Sequence, residues 1–269
     1  MSRLFELELV GGPWARRLAR RRAGFDAMPW HEPLDMFSIG DRENARLVWT
    51  QSAFSEYASA AAFSEIASCL LAAGAPIDLV AAAGDFVVDE VLHTELFARV
   101  AMSLGGAVPL EVDLEKLVRP PAAKDPLMRA AELLVRTSCV GEVLTVPILK
   151  ASRDRSRSPL IKAVLTRIVR DESHHAQIGF WFLDWAAPHL SDTHLNHLGN
   201  VAGDAIHSFA QIFAGTCAGG TDLGILDCAG YDGAFASAVR PRIVKPLLAR
   251  GIAIREEALA GLPLNRQTS

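Results

Sequence analysis

The sequence predicts an all-α protein built on four long helices, arranged as two antiparallel hairpins joined by a long crossover. Three observations carry this expectation. Half of the 269 residues are apolar and only 7% are aromatic, with alanine frequent, a composition that favours helix. Long stretches contain neither Gly nor Pro. The connection lengths are unequal: the first two helices are joined tightly, as are the third and fourth, whereas about twenty residues separate the pairs, enough to travel the length of a bundle.

Taken in order, residues 1–40 read as an irregular N-terminal extension flecked with Trp14, Phe25, Trp30 and Phe37. The first bundle helix runs from Asp41, the expected N-cap, to Ala73, and Gly74-Ala75-Pro76 ends it. The second spans about Ile77 to Leu104 and stops at Gly105-Gly106. Residues 107–125, with Pro109, Pro120 and Pro121, leave room for one short helix around Asp113–Arg119. A third helix fits Pro126–Ala151, with Pro147 expected to bend or widen it. Ser158-Pro159 is a cap followed by a first-turn proline, opening a fourth helix that ends before Pro188. Residues 191–269 read as a C-terminal helical cap: a helix over 192–216, a loop-rich 219–233, and a helix over 232–250 broken by Pro241 and Pro246. The expected organisation is one domain, 1–269, around a 41–190 core.

Lys plus Arg number 27 and Asp plus Glu 31, a net charge of −4 that gives no global attraction to nucleic acid or to an anionic membrane. No apolar run has the length of a membrane span, and the N-terminus lacks a signal-peptide pattern. Cys69, Cys139, Cys217 and Cys228 lie far apart with no CxxC pair, so they read as reduced thiols of a cytoplasmic protein.

The acidic residues are unusually placed. Between Arg46 and Arg99 there is no Lys or Arg, yet Glu56, Glu65, Asp78, Asp85, Asp89, Glu90 and Glu95 fall in that stretch. Residues 137–149, TSCVGEVLTVPIL, hold a single ionisable group, Glu142, in an apolar helix. A buried carboxylate needs a proton or a cation to neutralise it. The local sequence offers no cationic side chain, which points to a bound metal.

An echoed motif makes the point specific. Asp89-Glu90-Val91-Leu92-His93 and Asp171-Glu172-Ser173-His174-His175 are both DExxH, one in the second helix and one in the fourth. Glu and His three apart lie on one helix face and can reach one ion. Two such helices, with Glu142 from the third and a Glu from the first, make four carboxylates and two imidazoles. Their four negative charges balance two divalent cations, and mixed oxygen and nitrogen ligation suits Fe(II) or Mn(II). The preceding aspartates are expected to cross between helices, Asp171 accepting from the second ring nitrogen of His93 and Asp89 from that of His175. The alternative is two solvated helix faces carrying ordinary acid–His pairs. On the first helix, Glu56 and Glu65 are nine residues apart and nearly opposite, so only one faces the axis. Glu56 shares a stripe with Trp49, Ala53, Ala60 and Phe63.

These residues resemble the ferritin-like di-iron carboxylate superfamily, in particular its oxygenase and oxidase branches, over about residues 43–190. The resemblance implies a ferritin-like four-helix bundle. It favours Glu56, 34 residues before Glu90, as the ligand of the first helix. It assigns Glu56, Glu90, His93, Glu142, Glu172 and His175 to the metals and Asp89 and Asp171 to supporting positions. Departures narrow the branch. A second ExxH is unusual for storage ferritins, and the cysteine-ligated iron domain of rubrerythrins has no counterpart. Phe97 stands where the ribonucleotide reductase small subunit carries a radical tyrosine, and Ile168 where arylamine N-oxygenases carry a third His. His174, next to His175, is turned away from the axis.

The resemblance implies a non-haem di-iron oxygenase or oxidase that uses O2 to hydroxylate, N-oxygenate or desaturate a small organic substrate, with two Fe ions or a Mn/Fe pair. Electrons come from an external donor, since no flavin or nicotinamide fingerprint is present. Two other classes are a ferroxidase or peroxide-scavenging iron-handling protein and a metal-free binding module. The terminal segments are expected to cover the bundle and shape a pocket, with Phe97, Phe180, Trp181 and Trp185 as candidate walls. Arg16, Arg17, Arg20, Arg21 and Arg22 form the one dense basic cluster, read either as a solvated face or as a docking patch for an acidic carrier protein or a phosphorylated substrate. Tyr57 and His207 read as structural, and a homodimer is the default assembly.

Overall fold

A computed structural model describes residues 2–217 and 220–264. The all-α expectation holds: helices dominate, and the strands are a short antiparallel pair, β1 (Ser2–Leu4) on β2 (Glu111–Asp113), with Arg3 opposite Val112. The helices are α1 (Gly12–Arg21), α2 (Ile39–Ala72), α3 (Ile77–Ser103), α4 (Pro126–Leu134), α5 (Val143–Arg155), α6 (Pro159–Ala186), α7 (Asp192–Thr216), α8 (Cys228–Ala238) and α9 (Lys245–Leu248). Wider π-type turns over Val135–Glu142 join α4 to α5 without a break, and a second such stretch, Val239–Val244, joins α8 to α9.

Several boundaries differ from the sequence expectation for identifiable reasons. The cap of α2 is Ser38, whose hydroxyl accepts from the Asp41 amide at 3.1 Å and donates to the Asp41 carboxylate at 2.7 Å. Asp41 sits in the first turn instead, where its charge favours the helix N-terminus. Ser158 caps α6 as expected, accepting from the Ile161 amide. The N-terminal segment is not irregular throughout, because it contains α1 and β1. The crossover carries β2 and, in place of a short α-helix, a single 3-10 turn, Leu114–Lys116. The widened part of the third helix lies just before Pro147, which itself sits in α5.

Packing closes a ring. The four-residue link after α2 sends α3 back along it, α3 lies on α6, α6 lies on α5 and on the π turns, and α4 lies on α2. Two apolar cores fill the interior. One contains Phe63, Leu134, Ile178 and Phe182 together with residues of α7, α8 and the chain beyond. The other contains Trp49, Leu96, Phe97, Ile161 and Leu165 with Phe25 and Leu34 from the N-terminal extension and Leu223 and Ile225 from the 220–227 loop. The C-terminal segment thus contributes to both cores, and the N-terminal extension to the second. No helix among the described residues is long and apolar enough to cross a membrane.

The cysteine expectation is half right. Cys69 and Cys139 are buried free thiols. Cys217 and Cys228 instead form a disulfide, Cα atoms 4.8 Å apart. Their separation of 11 residues disguises this, because the chain doubles back at the Thr221–Ile225 bridge. The cytoplasmic expectation rested partly on reduced thiols and loses that support.

Candidate metal centre

Where the two apolar cores meet, each wall of the ring contributes acid or imidazole. Along α2, Glu56 separates Ala53 from Phe63. Along α3, Glu90 and His93 fall between Phe86 and Leu96. On α6, Glu172 and His175 fall between Val169 and Ile178. Glu142 closes the set from the last π turn. All six are buried: Glu90 and His175 are 0% exposed, His93 and Glu172 1%, Glu142 6% and Glu56 9%. The side chains expected to converge therefore do converge. Glu65, the other candidate of the first helix, lies elsewhere and pairs with Arg129 at 2.9 Å.

The ligand atoms form two overlapping groups. Glu56, Glu90, His93 and Glu172 offer atoms all within 4.8 Å of one another, and so do Glu90, Glu142, Glu172 and His175. Glu90 and Glu172 belong to both, so each can bridge, while one His and one further Glu are left to each side. His93 Nδ1 lies 2.9 Å from Glu172 Oε1 and 3.7 Å from Glu56 Oε2. His175 Nδ1 lies 3.0 Å from both Glu90 Oε1 and Glu172 Oε2.

Whether these residues fit a metal pair is decided by what else they bond. Both oxygens of Glu90, both of Glu172 and Nδ1 of each histidine are buried with no hydrogen-bond partner. Such orphans are rare in folded proteins and cost about 1–3 kcal/mol each, more when charged. Six of them aimed at one another fit a cation site. The opposite ring nitrogens face outward to the expected aspartates. His93 Nε2 bonds Asp171 Oδ2 at 3.4 Å. His175 Nε2 stands 3.5 Å from Asp89 Oδ2, close enough for charge attraction but not aligned as a hydrogen bond. In both rings Nδ1 thus faces the carboxylates and Nε2 faces an aspartate.

By themselves these side chains can moderate their charge only by taking up protons. Burial, and then the neighbouring carboxylates, push Glu56 and Glu142 well above the usual carboxylate range. Burial alone would lower the imidazoles, but surrounding carboxylates win, raising His93 strongly and His175 to about 12. Glu172 goes the other way despite its burial, because both histidines hold it ionised. Asp171 is pushed down to about 2, against its burial, by His93 and Arg167.

Three contributors escaped the sequence reading. Arg167 donates to Asp171 at 2.6 Å from one helical turn earlier, a spacing that was visible, and also to the Ala23 carbonyl at 3.1 Å. Ser138, fully buried, donates to the His175 carbonyl at 2.6 Å and accepts from the Gly179 amide at 3.0 Å. Its hydroxyl thereby enters the α6 ladder at His175. Gly179 permits the approach, since a Cβ there would stand 2.5 Å from the Cys139 sulfur. Glu132 accepts from the amides of Ala122 and Ala123 and from His197, pinning the crossover and α7 to α4.

Of the expected pocket walls, Phe97 is buried and stacked on Trp49 at 5.3 Å. Trp181 is half exposed, Phe180 packs under Arg250, and Trp185 packs on Phe182. The rings nearest the ligands are Phe63 and Phe86, 5.3 and 4.2 Å from His175. His174 is exposed, His207 bonds the Ala258 carbonyl, and Tyr57 packs on Phe5, all without reaching the centre. Comparison with family models, with curated proteins and with solved structures gives no match.

Proposed function

We propose that this chain is a non-haem di-iron oxygenase or oxidase that activates O2 to oxidise a small organic substrate, on a ferritin-like four-helix bundle spanning about residues 41–190. The observation that carries this reading is the pair of ligand groups sharing Glu90 and Glu172, with their buried atoms otherwise unpartnered. A single structural ion would need one group, and a thiolate site would need sulfur. Four carboxylates and two imidazoles suit two iron ions, or a Mn/Fe pair.

Glu56 and His93 would hold one ion, Glu142 and His175 the other, with Glu90 and Glu172 between. A reduced iron pair supplies the capacity to bind dioxygen and cleave its O–O bond. The protein's own part is different. Asp171, held ionised by Arg167, fixes the tautomer and ring plane of His93, and Asp89 adds charge attraction beside Nε2 of His175. Phe63, Phe86 and the two apolar cores exclude water, which keeps the electrostatics strong and protects reactive species from side reactions. Glu56 and Glu142 favour the protonated form when uncompensated, so both release protons as cations enter.

Metal analysis of the purified chain tests the reading: two iron ions per chain are expected. Aerobic Fe(II) oxidation without substrate or reductant should then stop after one cycle. Repeated turnover of Fe(II) would make iron itself the substrate and replace the oxygenase reading with a ferroxidase. Iron content indistinguishable from zero after anaerobic loading would end both.

A further inference from the structure

The proposed chemistry consumes electrons, and the buried centre leaves open where they enter. The surface around α1 has an unusual composition. Residues 12–22 contain Arg16, Arg17, Arg20, Arg21 and Arg22 and no acid. Two of these are fasteners: Arg21 pairs with Asp85 at 2.9 Å and Arg22 with Glu95 at 2.6 Å, both on α3, the helix that carries Glu90 and His93. Leu18 tucks into the core beneath. The other three, Arg16, Arg17 and Arg20, are exposed and make no ion pair among the described residues, and Trp14 stands 69% exposed beside them. Arg240 and Arg250, by contrast, are paired, with Glu256 and Asp184.

The segment leaving α1 is tied to the centre by bonded contacts. The Ala23 carbonyl accepts from Arg167, Arg167 holds Asp171 at 2.6 Å, and Asp171 holds His93. Phe25 lies under the same guanidinium, 5.5 Å away. We infer that the outward face of α1, formed by Trp14, Arg16, Arg17 and Arg20, is the docking surface for an acidic one-electron carrier protein. This rests on the di-iron reading. Each docking event delivers one electron and oxidises the carrier once, so two events take a ferric pair to a ferrous pair. Charge complementarity favours an acidic protein face, and unpaired surface charge of one sign speeds encounter with the opposite sign.

The probe is a plant-type [2Fe–2S] ferredoxin, an acidic one-electron carrier, titrated into the full chain loaded with redox-inert Zn(II) so that binding is read without turnover. At an ionic strength of about 10 mM binding is expected, and at about 1 M it should vanish as the Debye length falls from about 30 to about 3 Å. The variant Arg16→Glu/Arg17→Glu/Arg20→Glu should bind about tenfold or more weakly with an unchanged melting temperature, whereas Arg242→Glu/Lys245→Glu should bind like the native chain. In the iron-loaded chain the triple variant should slow reduction by ferredoxin but not by dithionite. Undiminished binding by the triple variant, or no binding by the native chain at low salt, overturns the inference. So does capture by phosphatidylglycerol vesicles that ferredoxin cannot displace, which would make the face a membrane contact. Binding as expected by a chain that takes up no iron overturns the electron-entry role together with the di-iron reading, and isolates that failure from a failure of the surface.

Discussion

Glu132 and Glu142 stand ten residues apart on one continuous helical run, both buried, and they meet opposite fates. Glu132 has three donors: the Ala122 and Ala123 amides at 2.7 and 2.9 Å and His197 at 2.8 Å. Burial opposes its ionisation, yet those donors hold its carboxyl below the usual range. Glu142 has no such partners, faces Glu90 and Glu172, and is raised. The same contrast divides the acids of α2 and α3. Glu65, Asp85 and Glu95 receive Arg129, Arg21 and Arg22 from distant segments, whereas Glu56 and Glu90 receive none. A buried acid that the fold supplies with donors stays ionised; one left without a donor needs a proton or a cation.

The sharpest way to break this contrast is to replace each acid with leucine. Glu142→Leu should abolish metal at its side of the centre, cutting iron per chain by half or more. The metal-free form should become more stable by about 1–4 kcal/mol, since an uncompensated buried carboxyl is exchanged for packing. Glu132→Leu should leave iron content unchanged and cost about 3 kcal/mol, because two amides and an imidazole lose their acceptor. Metal analysis and chemical denaturation of both variants read four numbers, and like signs in the stability pair would remove the distinction.

Acidity provides a second separation. Glu56 and Glu142 keep their protons in the fold above pH 4.5, where the unfolded chain would release them, so their cost to the metal-free fold grows as pH rises. His175, raised to about 12, adds stability that is full below about 6.5 and drains away as pH climbs toward 12. His93 acts in the same direction. Asp171 and Glu132 work oppositely: their contribution is complete above the ordinary carboxylate range and is lost only on acidification. Melting of the metal-free chain should therefore fall between about pH 5 and about pH 9, each affected proton adding up to about 1.4 kcal/mol per pH unit. The Zn-loaded chain, its protons already displaced, should show a flatter profile, and metal uptake in unbuffered solution should acidify it. A metal-free chain that gains stability over this range would contradict the proton assignment.

How much of this was legible in the residues follows from the kind of signal each feature sends. The helices and the two DExxH pairs announce themselves by local spacing, and Glu142 by its isolation among apolar neighbours. The choice of Glu56 was favoured by its apolar stripe, but the partner that occupies Glu65, Arg129, lies 64 residues away, and no local pattern reveals it. The same holds for the Cys217–Cys228 bond, closed by a doubling back of the chain, and for Arg21 and Arg22, which read as a solvated cluster but fasten α1 to α3. The two apolar cores were likewise hidden, because their boundary exists only once four segments are stacked in register. Local chemistry was readable, then, and long-range pairing only where a repeated motif announced it, as for Asp171 with His93.

Ser138 offers the smallest and most discriminating test of how the ligand set is held. Its hydroxyl sits between the His175 carbonyl and the Gly179 amide, groups that an unbroken α-helix would join directly. Ser138→Ala lets that ladder bond close again, so stability should fall by only about 1 kcal/mol. The geometry changes more than the energy. The π turn bearing Glu142 loses its one hydroxyl tie to the helix bearing His175, so the ion between them should bind about tenfold more weakly, the scale seen when supporting groups of metal ligands are removed. The ion between Glu56 and His93 shares no contact with Ser138 and should keep its affinity. Stepwise Co(II) titration of the metal-free variant separates the two sites by their visible spectra. Equal weakening of both would reduce Ser138 to a general packing residue, and no weakening of either would show that the π turn holds Glu142 in place without it.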